Sequence, residues 1–251
     1  MGTARLRWRG GLAWLVVVGV ALSGCPTQTS GDDDDDAISD DDVMGDDDVA
    51  DGWEVLFEDD YERADGPLGS DYVALAWLGN EVLEIRDGEV FVDCEYFAVR
   101  WVEAIPDDTI RVMADLRYEQ SGADGVQVAA VARYGEDLQG DFPSYDAFLD
   151  GAADELSLMR SLVSGEDGQL TVIDEQTVAS AVEPDTVYHV TLTVDGGALA
   201  ALYTDVAAGT TEELTLSDAS PLAGGNAGIH GQISGDVVVY LDNLSIQRLI
   251  P

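Results

Sequence analysis

The sequence predicts an all-β domain over residues 53–251, built from antiparallel strands arranged as a sandwich or barrel. The first observation is a period of two: Ile110, Val112, Ala114, Leu116 and Tyr118 alternate with Thr109, Arg111, Asp115 and Arg117, with Met113 as the interruption. Tyr188, Val190, Leu192 and Val194 alternate in the same way with Val187, His189, Thr191 and Thr193. Such alternation marks strands with one buried and one solvated face. The second is punctuation by Asp-Gly pairs, at Asp87-Gly88, Asp124-Gly125, Asp150-Gly151, Asp167-Gly168 and Asp195-Gly196, where tight turns reverse the chain. The third is that no sustained helical stripe runs through these residues, while their number suits a single core.

The remaining elements follow from the same rules. Val126 to Ala132 is apolar on both parities and fits a central strand covered on both faces. Phe142 to Ala153 is ambiguous: Pro143 and Gly151 argue for a loop plus a short strand or a helical turn. In the last strand Val237, Val239 and Leu241 share one parity, whereas Leu244 and Ile246 share the other. A bulge at Asp242-Asn243 would produce that switch, and a strand buried on both faces is the alternative. Cys94 has the parity of Val90 and Val92 and reads as a small core hydrophobe; flanking Asp93 and Glu95 argue against a reactive thiol.

Ahead of this domain, Arg5, Arg7 and Arg9 precede an apolar run from Gly11 to Leu22, too short to span a bilayer, which needs about 20 residues. Leu22-Ser23-Gly24-Cys25 then resembles the lipobox of bacterial lipoproteins. The resemblance implies a signal peptide over residues 1–24, cleavage before Cys25, and acylation of that cysteine. Lipid-anchored residence in the bacterial envelope, at the outer membrane or cell surface, is then expected. Several acyl chains on one residue would anchor stably, since each buried methylene contributes about 0.8 kcal/mol.

Charge narrows the partners. The formal net charge is -40, from 11 basic and 51 acidic residues, and cleavage before Cys25 would remove three arginines and no acid. Nucleic acid is excluded as a partner, because binding a polyanion requires a basic surface. Residues 26–52 carry Asp32 to Asp36, Asp40 to Asp42, Asp46 to Asp48 and Asp51, with few large apolar side chains. Residues 25–52 therefore read as a lipidated cysteine followed by a disordered, self-repelling tether. Asp40, Asp42, Gly45 and Asp51 fall at EF-hand spacing, but Met44 occupies a ligand position and the match fails.

Two passages carry a second resemblance. The run from Phe57 to Gly69, with Asp59-Asp60 and Arg63-Ala64-Asp65-Gly66-Pro67-Leu68-Gly69, resembles the opening of concanavalin A-like lectin/glucanase (LamG-like) domains. Val239 to Ile246 is similar to their closing strand. The resemblance implies a two-sheet jelly roll with adjacent first and last strands, often with structural calcium, for which Asp59, Asp60 and Asp242 are the side chains to test. Glu58-x-Asp60-x-Glu62 also matches the signature of laminarinase-like glycosidases, but lies at the N-terminal edge instead of a central strand and reads as a chance match.

Saccharide contacts need aromatic faces and polar groups on loops over a rigid frame. Tyr134, Asp141, Phe142 and Tyr145 offer these in one irregular stretch, with Trp77 and Trp101 as further candidates. Each aromatic has a core role as its alternative. No nucleophile, phosphate loop or metal-spaced histidine motif accompanies them. Three functional readings stand: a noncatalytic binder of carbohydrate or surface polymer, a structural or adhesive domain, and a glycoside-processing enzyme.

Overall fold

The computed structural model describes residues 52–77, 82–106, 109–120, 125–135, 140–164 and 170–250; the expected export signal, Cys25 and the expected acidic tether up to residue 51 lie outside the described residues. In chain order the strands are β1 (Trp53–Asp59), β2 (Tyr72–Trp77), β3 (Val82–Arg86), β4 (Glu89–Asp93) and β5 (Tyr96–Trp101). There follow β6 (Ile110–Gln120), β7 (Val126–Tyr134), β8 (Phe142–Asp150), β9 (Glu155–Val163) and β10 (Leu170–Ala179). The series ends with β11 (Tyr188–Asp195), β12 (Ala198–Asp205), β13 (Thr210–Ser217), β14 (Asn226–Ile233) and β15 (Val237–Leu249).

These strands form two antiparallel sheets. Sheet A runs β13-β12-β11-β6-β15-β4-β3, with β1 paired to β15, and sheet B runs β10-β9-β8-β7-β14-β5-β2. The first and last strands are thus adjacent, Trp53 opposite Leu249 and Asp59 opposite Leu244. Consecutive strands repeatedly change sheet: β5 lies in B, β6 in A, β7 in B. The result is a jelly-roll sandwich of the predicted class.

The core fills the space between the sheets. Val112, Ala114, Leu116, Val190 and Leu192 enter it from sheet A, and Val128, Ala130, Ala147, Leu158 and Ile229 from sheet B. Each such aliphatic side chain contributes roughly 1.5–3 kcal/mol on burial, alanine less. Tyr203 on β12 crosses the layers and donates its hydroxyl to Ser157 O on β9 at 2.6 Å. Cys94 is buried in the same core.

Turn chemistry matches the hairpins. Asp87 and Gly88 join β3 to β4 with φ of 51° and 83°, the two positive values that a type I′ turn demands. In β15 the register against β6 shifts between Asp242 and Ser245, and Asn243 takes a φ of 50°. That bulge lets Val239, Leu241, Leu244 and Ile246 all face the core. The outermost strands β10 and β13 expose Asp174, Glu175, Glu212 and Glu213, charges that discourage pairing with another chain.

The stretch from Phe142 corrects the sequence reading. It is neither loop nor helical turn but the nine-residue strand β8, flanked by β7 and β9. Pro143 is tolerated because the β7 ladder ends at Tyr145 opposite Ala132, so the missing N–H leaves no β7 partner unpaired.

Strand β14 packs backbone to backbone against β5. A Cβ on Gly228 would lie 2.2 Å from Val99 O, and φ there is +156°. Gly228→Ala is expected to lower the urea-unfolding free energy by about 2–4 kcal/mol. Gly135→Ala, where no atom lies within 4 Å of the added carbon, should stay within about 0.5 kcal/mol of wild type.

Candidate functional site on the outer face of sheet B

Not every buried side chain of sheet B belongs to the core. Ala98 on β5, Ala129 and Val131 on β7, and Met159 on β9 are buried yet stand outside the core cluster, because their parity turns them to the opposite face. Register sets their neighbours. One row reads Val73, Arg100, Gly228, Val131, Asp146 and Met159, and the next reads Ala98, His230, Ala129, Phe148 and Ser157. Small residues therefore line the middle of the face, and Arg100, His230, Asp146 and Phe148 rise around them.

Asp146 is fully buried on this outer face. Ser144 donates its hydroxyl to both Asp146 oxygens at 3.0 Å, and Ser161 donates to Asp146 Oδ2. His230 Nε2 lies 3.1 Å from Asp146 Oδ1, but off the line a hydrogen bond requires, and that buried nitrogen has no hydrogen-bond partner. The order of contacts matters chemically. Both serines bond to the carboxylate and neither bonds to histidine, so the set lacks the serine–histidine link that activates a nucleophile. Its evident effect is to fix a polar cluster by mutual hydrogen bonding.

Beside the cluster stands an aromatic stack. Tyr134 and Phe142 are stacked with centroids 5.7 Å apart and planes 16° apart, and the Arg100 guanidinium lies 4.0 Å from the Tyr134 ring centroid. Phe148 lies 5.6 Å from the His230 ring, and Tyr134 meets that ring edge-on at 6.5 Å. A slip in register puts Tyr134 here. Asn226 pairs with Tyr134 but Gly228 pairs with Val131, so Ala132 and Arg133 together oppose Ala227. Arg133 takes a left-handed φ of 59°, and its guanidinium donates to Pro106 O at 3.0 Å.

Burial pulls the Arg100 guanidinium below the usual arginine range, and the Tyr134 ring partly opposes that shift. Among the described residues no acceptor takes a hydrogen bond from Arg100, and its Nε is buried without a partner. Most other arginines meet carboxylates: Arg63 with Asp59, Arg86 with Glu84, Arg117 with Glu89, Arg160 with Asp218 and Arg248 with Glu54.

The residues expected from sequence divide accordingly. Tyr134 and Phe142 join this face, and Asp141 immediately precedes β8 beside them. Tyr145 does not join it: with the parity of Ala147 and Leu149 it enters the core, donating its hydroxyl to Asp218 Oδ2 at 2.7 Å and accepting from Leu222 N at 2.8 Å. Trp101 packs against the core and stacks on Phe57 at 5.8 Å. Trp77 closes β2 opposite Tyr96, and its side chain lies outside the described residues. Arg100, Ser144, Asp146 and Ser161 went unnoticed in the sequence, and His230 was set aside because it has no metal-spaced partner there. The available signal was the pattern Ser144-x-Asp146-x-Phe148, complementary to Tyr145-x-Ala147-x-Leu149 on the other parity.

The three aspartates considered for calcium are each engaged within the protein. Asp59 accepts from Arg63 at 2.6 and 2.8 Å, from Tyr72 OH at 2.7 Å and from Tyr61 N at 2.7 Å. Burial pushes the Asp59 pKa up, but these donors outweigh it and hold the carboxyl below its usual range. Asp60 accepts from Glu62 N at 3.1 Å and is exposed, while Asp242 accepts from Asn243 N at 2.7 Å. Among the described residues no group of three or more His, Cys, Asp or Glu could hold a metal ion. Glu58, Asp60 and Glu62 do not line one face of a central strand either, since β1 ends at Asp59 and Tyr61 is left-handed at φ 54°.

No protein-family model matches this chain, and no curated protein matches it. Solved structures do. The CBM2 module of Lactobacillus casei BL23 phage J-1 evolved Dit is similar with a TM-score of 0.54 at 12% identity, over 80% of this chain and 97% of its own. Arcelin-5, a lectin-like defense protein from Phaseolus vulgaris, is similar with a TM-score of 0.54 at 5% identity, over 80% and 100%. Bacillus licheniformis β-glucanase follows with 0.50 at 9% identity, over 76% and 97%. These likenesses define the fold as a concanavalin A-like jelly roll.

On sheet A, burial together with the neighbouring Asp115, Glu89 and Glu62 pushes Asp242 up to about 6, against the bond from Asn243 N. The folded state therefore holds this proton where the unfolded chain has lost it. Its contribution favours folding below the ordinary value of 3.8 and is lost as pH rises through about 6. Asp242→Asn is expected to raise stability at pH 7 by about 1 kcal/mol, a figure discounted for partial solvation, and to leave stability at pH 3 unchanged. Urea melts at both pH values measure it; no gain at pH 7 would contradict the assignment.

Proposed function

We propose that this domain is a noncatalytic saccharide-binding module that presents the outer face of sheet B to its ligand. The observation that carries the reading is the aromatic stack of Tyr134 and Phe142 beside a buried, mutually bonded set of Ser144, Asp146 and Ser161, with His230 alongside. Polar groups locked in place next to aromatic surface are the means by which proteins hold sugar hydroxyls and C–H faces together. A carbohydrate-binding module and a lectin-like protein among the structures of similar fold support the same reading.

Binding is favoured over hydrolysis by the same geometry. A retaining glycosidase needs two carboxyl groups about 5 Å apart across the scissile bond. Asp146 instead stands between Ser144 and Phe148 on its strand face, and the next carboxylate along, Asp150, is engaged by Gln127, Ala152 N and Ala153 N. Anchoring belongs to the proposal as well: acylation of Cys25 would hold the module at a bacterial envelope by an acidic tether.

Titration calorimetry against a panel of oligosaccharides tests the binding face. Tyr134→Ala combined with Phe142→Ala should weaken the bound saccharide by about tenfold or more, with circular dichroism unchanged. His189→Ala, on sheet A, should leave affinity within about twofold of wild type. A panel without any bound saccharide, or affinity unchanged in the double variant, would remove the proposal. For the anchor, cells fed an alkyne fatty acid should label the wild-type chain and not Cys25→Ser; equal labelling of both would exclude that role for Cys25.

A further inference from the structure

We infer that Arg100 makes the outer face of sheet B selective for acidic saccharides, its guanidinium edge receiving the carboxylate of a uronic acid residue. This rests on the saccharide-binding reading and specifies the ligand class of the same face. The starting point is a mismatch of charge. The chain carries 51 acidic residues against 11 basic ones, so a surface arginine has carboxylates in excess, and five of the described arginines have found them. Arg100 has found none among the described residues, standing on β5 beside the edge strand β2 of sheet B.

Its setting explains why the vacancy suits a ligand. On β14 the residue opposite Arg100 is Gly228, and beyond it lies the apolar Val131, so neither aligned residue offers the guanidinium an acceptor. On the other side Arg100 faces Val73 of β2, which is apolar and exposed. Stacking on Tyr134 at 4.0 Å occupies a face of the guanidinium and orients the plane without consuming its N–H donors. A guanidinium carries its donors in a planar fork that matches the two oxygens of a carboxylate.

On this face Asp146 lies three strands from Arg100 along the same row, and it is already engaged by Ser144 and Ser161. A buried Nε–H without an acceptor costs about 1–3 kcal/mol. An incoming carboxylate would remove that cost, and the small residues Gly228, Ala98 and Ala129 leave room for the attached ring. His230, diagonal to Arg100 across β5 and β14, offers the second unsatisfied nitrogen on the same face. The overall negative charge does not overrule this local site, because at about 0.15 M salt charges farther than roughly 8 Å are largely screened.

The test uses the whole folded domain at physiological salt. The probes are oligogalacturonate, oligomannuronate and a hyaluronan tetrasaccharide, each beside its methyl-esterified form, together with neutral and sulfated oligosaccharides. At least one uronate should bind about tenfold or more tightly than its own methyl ester, a comparison that needs no variant. Arg100→Met should bring the acid and ester to within about twofold of each other, while Arg100→Lys keeps part of the preference as a point charge without the fork. Equal affinity for acid and ester in the wild type, or a preference that survives Arg100→Met, would refute the inference while leaving saccharide binding intact. Selective capture of sulfated sugars alone would refute the carboxylate assignment. Failure of every saccharide to bind would refute both the inference and the reading beneath it.

Discussion

The one-residue slip in β7 is the constraint on which the face of sheet B depends. Tyr134 has the same parity as Val126, Val128, Ala130 and Ala132, all of which enter the core. Continued regular pairing would send its ring inward, between the layers. Instead Ala132 and Arg133 share the single partner Ala227, and Tyr134 emerges on the outer face under Arg100 and against Phe142. A left-handed non-glycine residue costs roughly 1–2 kcal/mol. The bond from Arg133 to Pro106 O helps offset it, and Gly225 gives β14 the clearance it needs, since a Cβ there would meet Tyr134 O at 2.7 Å.

The two outer faces solve the charge problem differently. On sheet A, polar side chains pair with one another: His189 Nδ1 meets Asp115 at 2.7 Å, Asn243 donates to Asp115 at 2.9 Å, and Arg117 bridges Glu89 and Glu119 while lying over Tyr240. The His189 pKa is raised by its bond to Asp115 and, against the upward push of burial, the Asp115 pKa is lowered with the help of the same bond. That pair therefore stabilises the fold between the two values, weakening as pH climbs through the histidine's or falls through the aspartate's. On sheet B the polar groups are withdrawn from solvent. Ser144, Asp146 and Ser161 are buried on an outward face, where hydroxyl donors replace the water that a carboxylate would otherwise hold. A closed network of this kind is rigid, and rigidity is what a binding surface requires if ligand affinity is not to be spent on ordering side chains.

How much of this could be read beforehand depended on whether pairing partners mattered. The alternation in β6 and β11 was legible because each buries one face against the core, which imposes a strict period of two. Coverage of β7 on both faces was legible from its unbroken apolar run, whereas the jump between Leu241 and Leu244 fitted either a bulge or a strand covered on both faces until the register of β15 against β6 decided for the bulge. Strand β8 was obscured by Pro143, whose missing N–H is harmless only because β7 has already parted from it. Tyr145 and Trp101 looked available because aromatics near a loop suit both roles; only their parity against β7 and β5 neighbours assigns them inward. Arg100 and His230 could not be read as a pair for a related reason. Each is unremarkable in its own strand, and they become neighbours only when β5 and β14, whose paired residues are 128 to 136 positions apart in the chain, lie side by side.

By itself, then, the chain's order of residues determined the fold class and the tight turns at Asp87-Gly88 and Asp195-Gly196, because these follow from local periodicity and turn chemistry. Tertiary structure alone decided which face of sheet B is polar and buried, that Tyr134 turns outward while Tyr145 turns in, and that Arg100 stands without a carboxylate. The physical reason is that register and parity across five neighbouring strands set those outcomes, and no stretch of sequence contains its own partners.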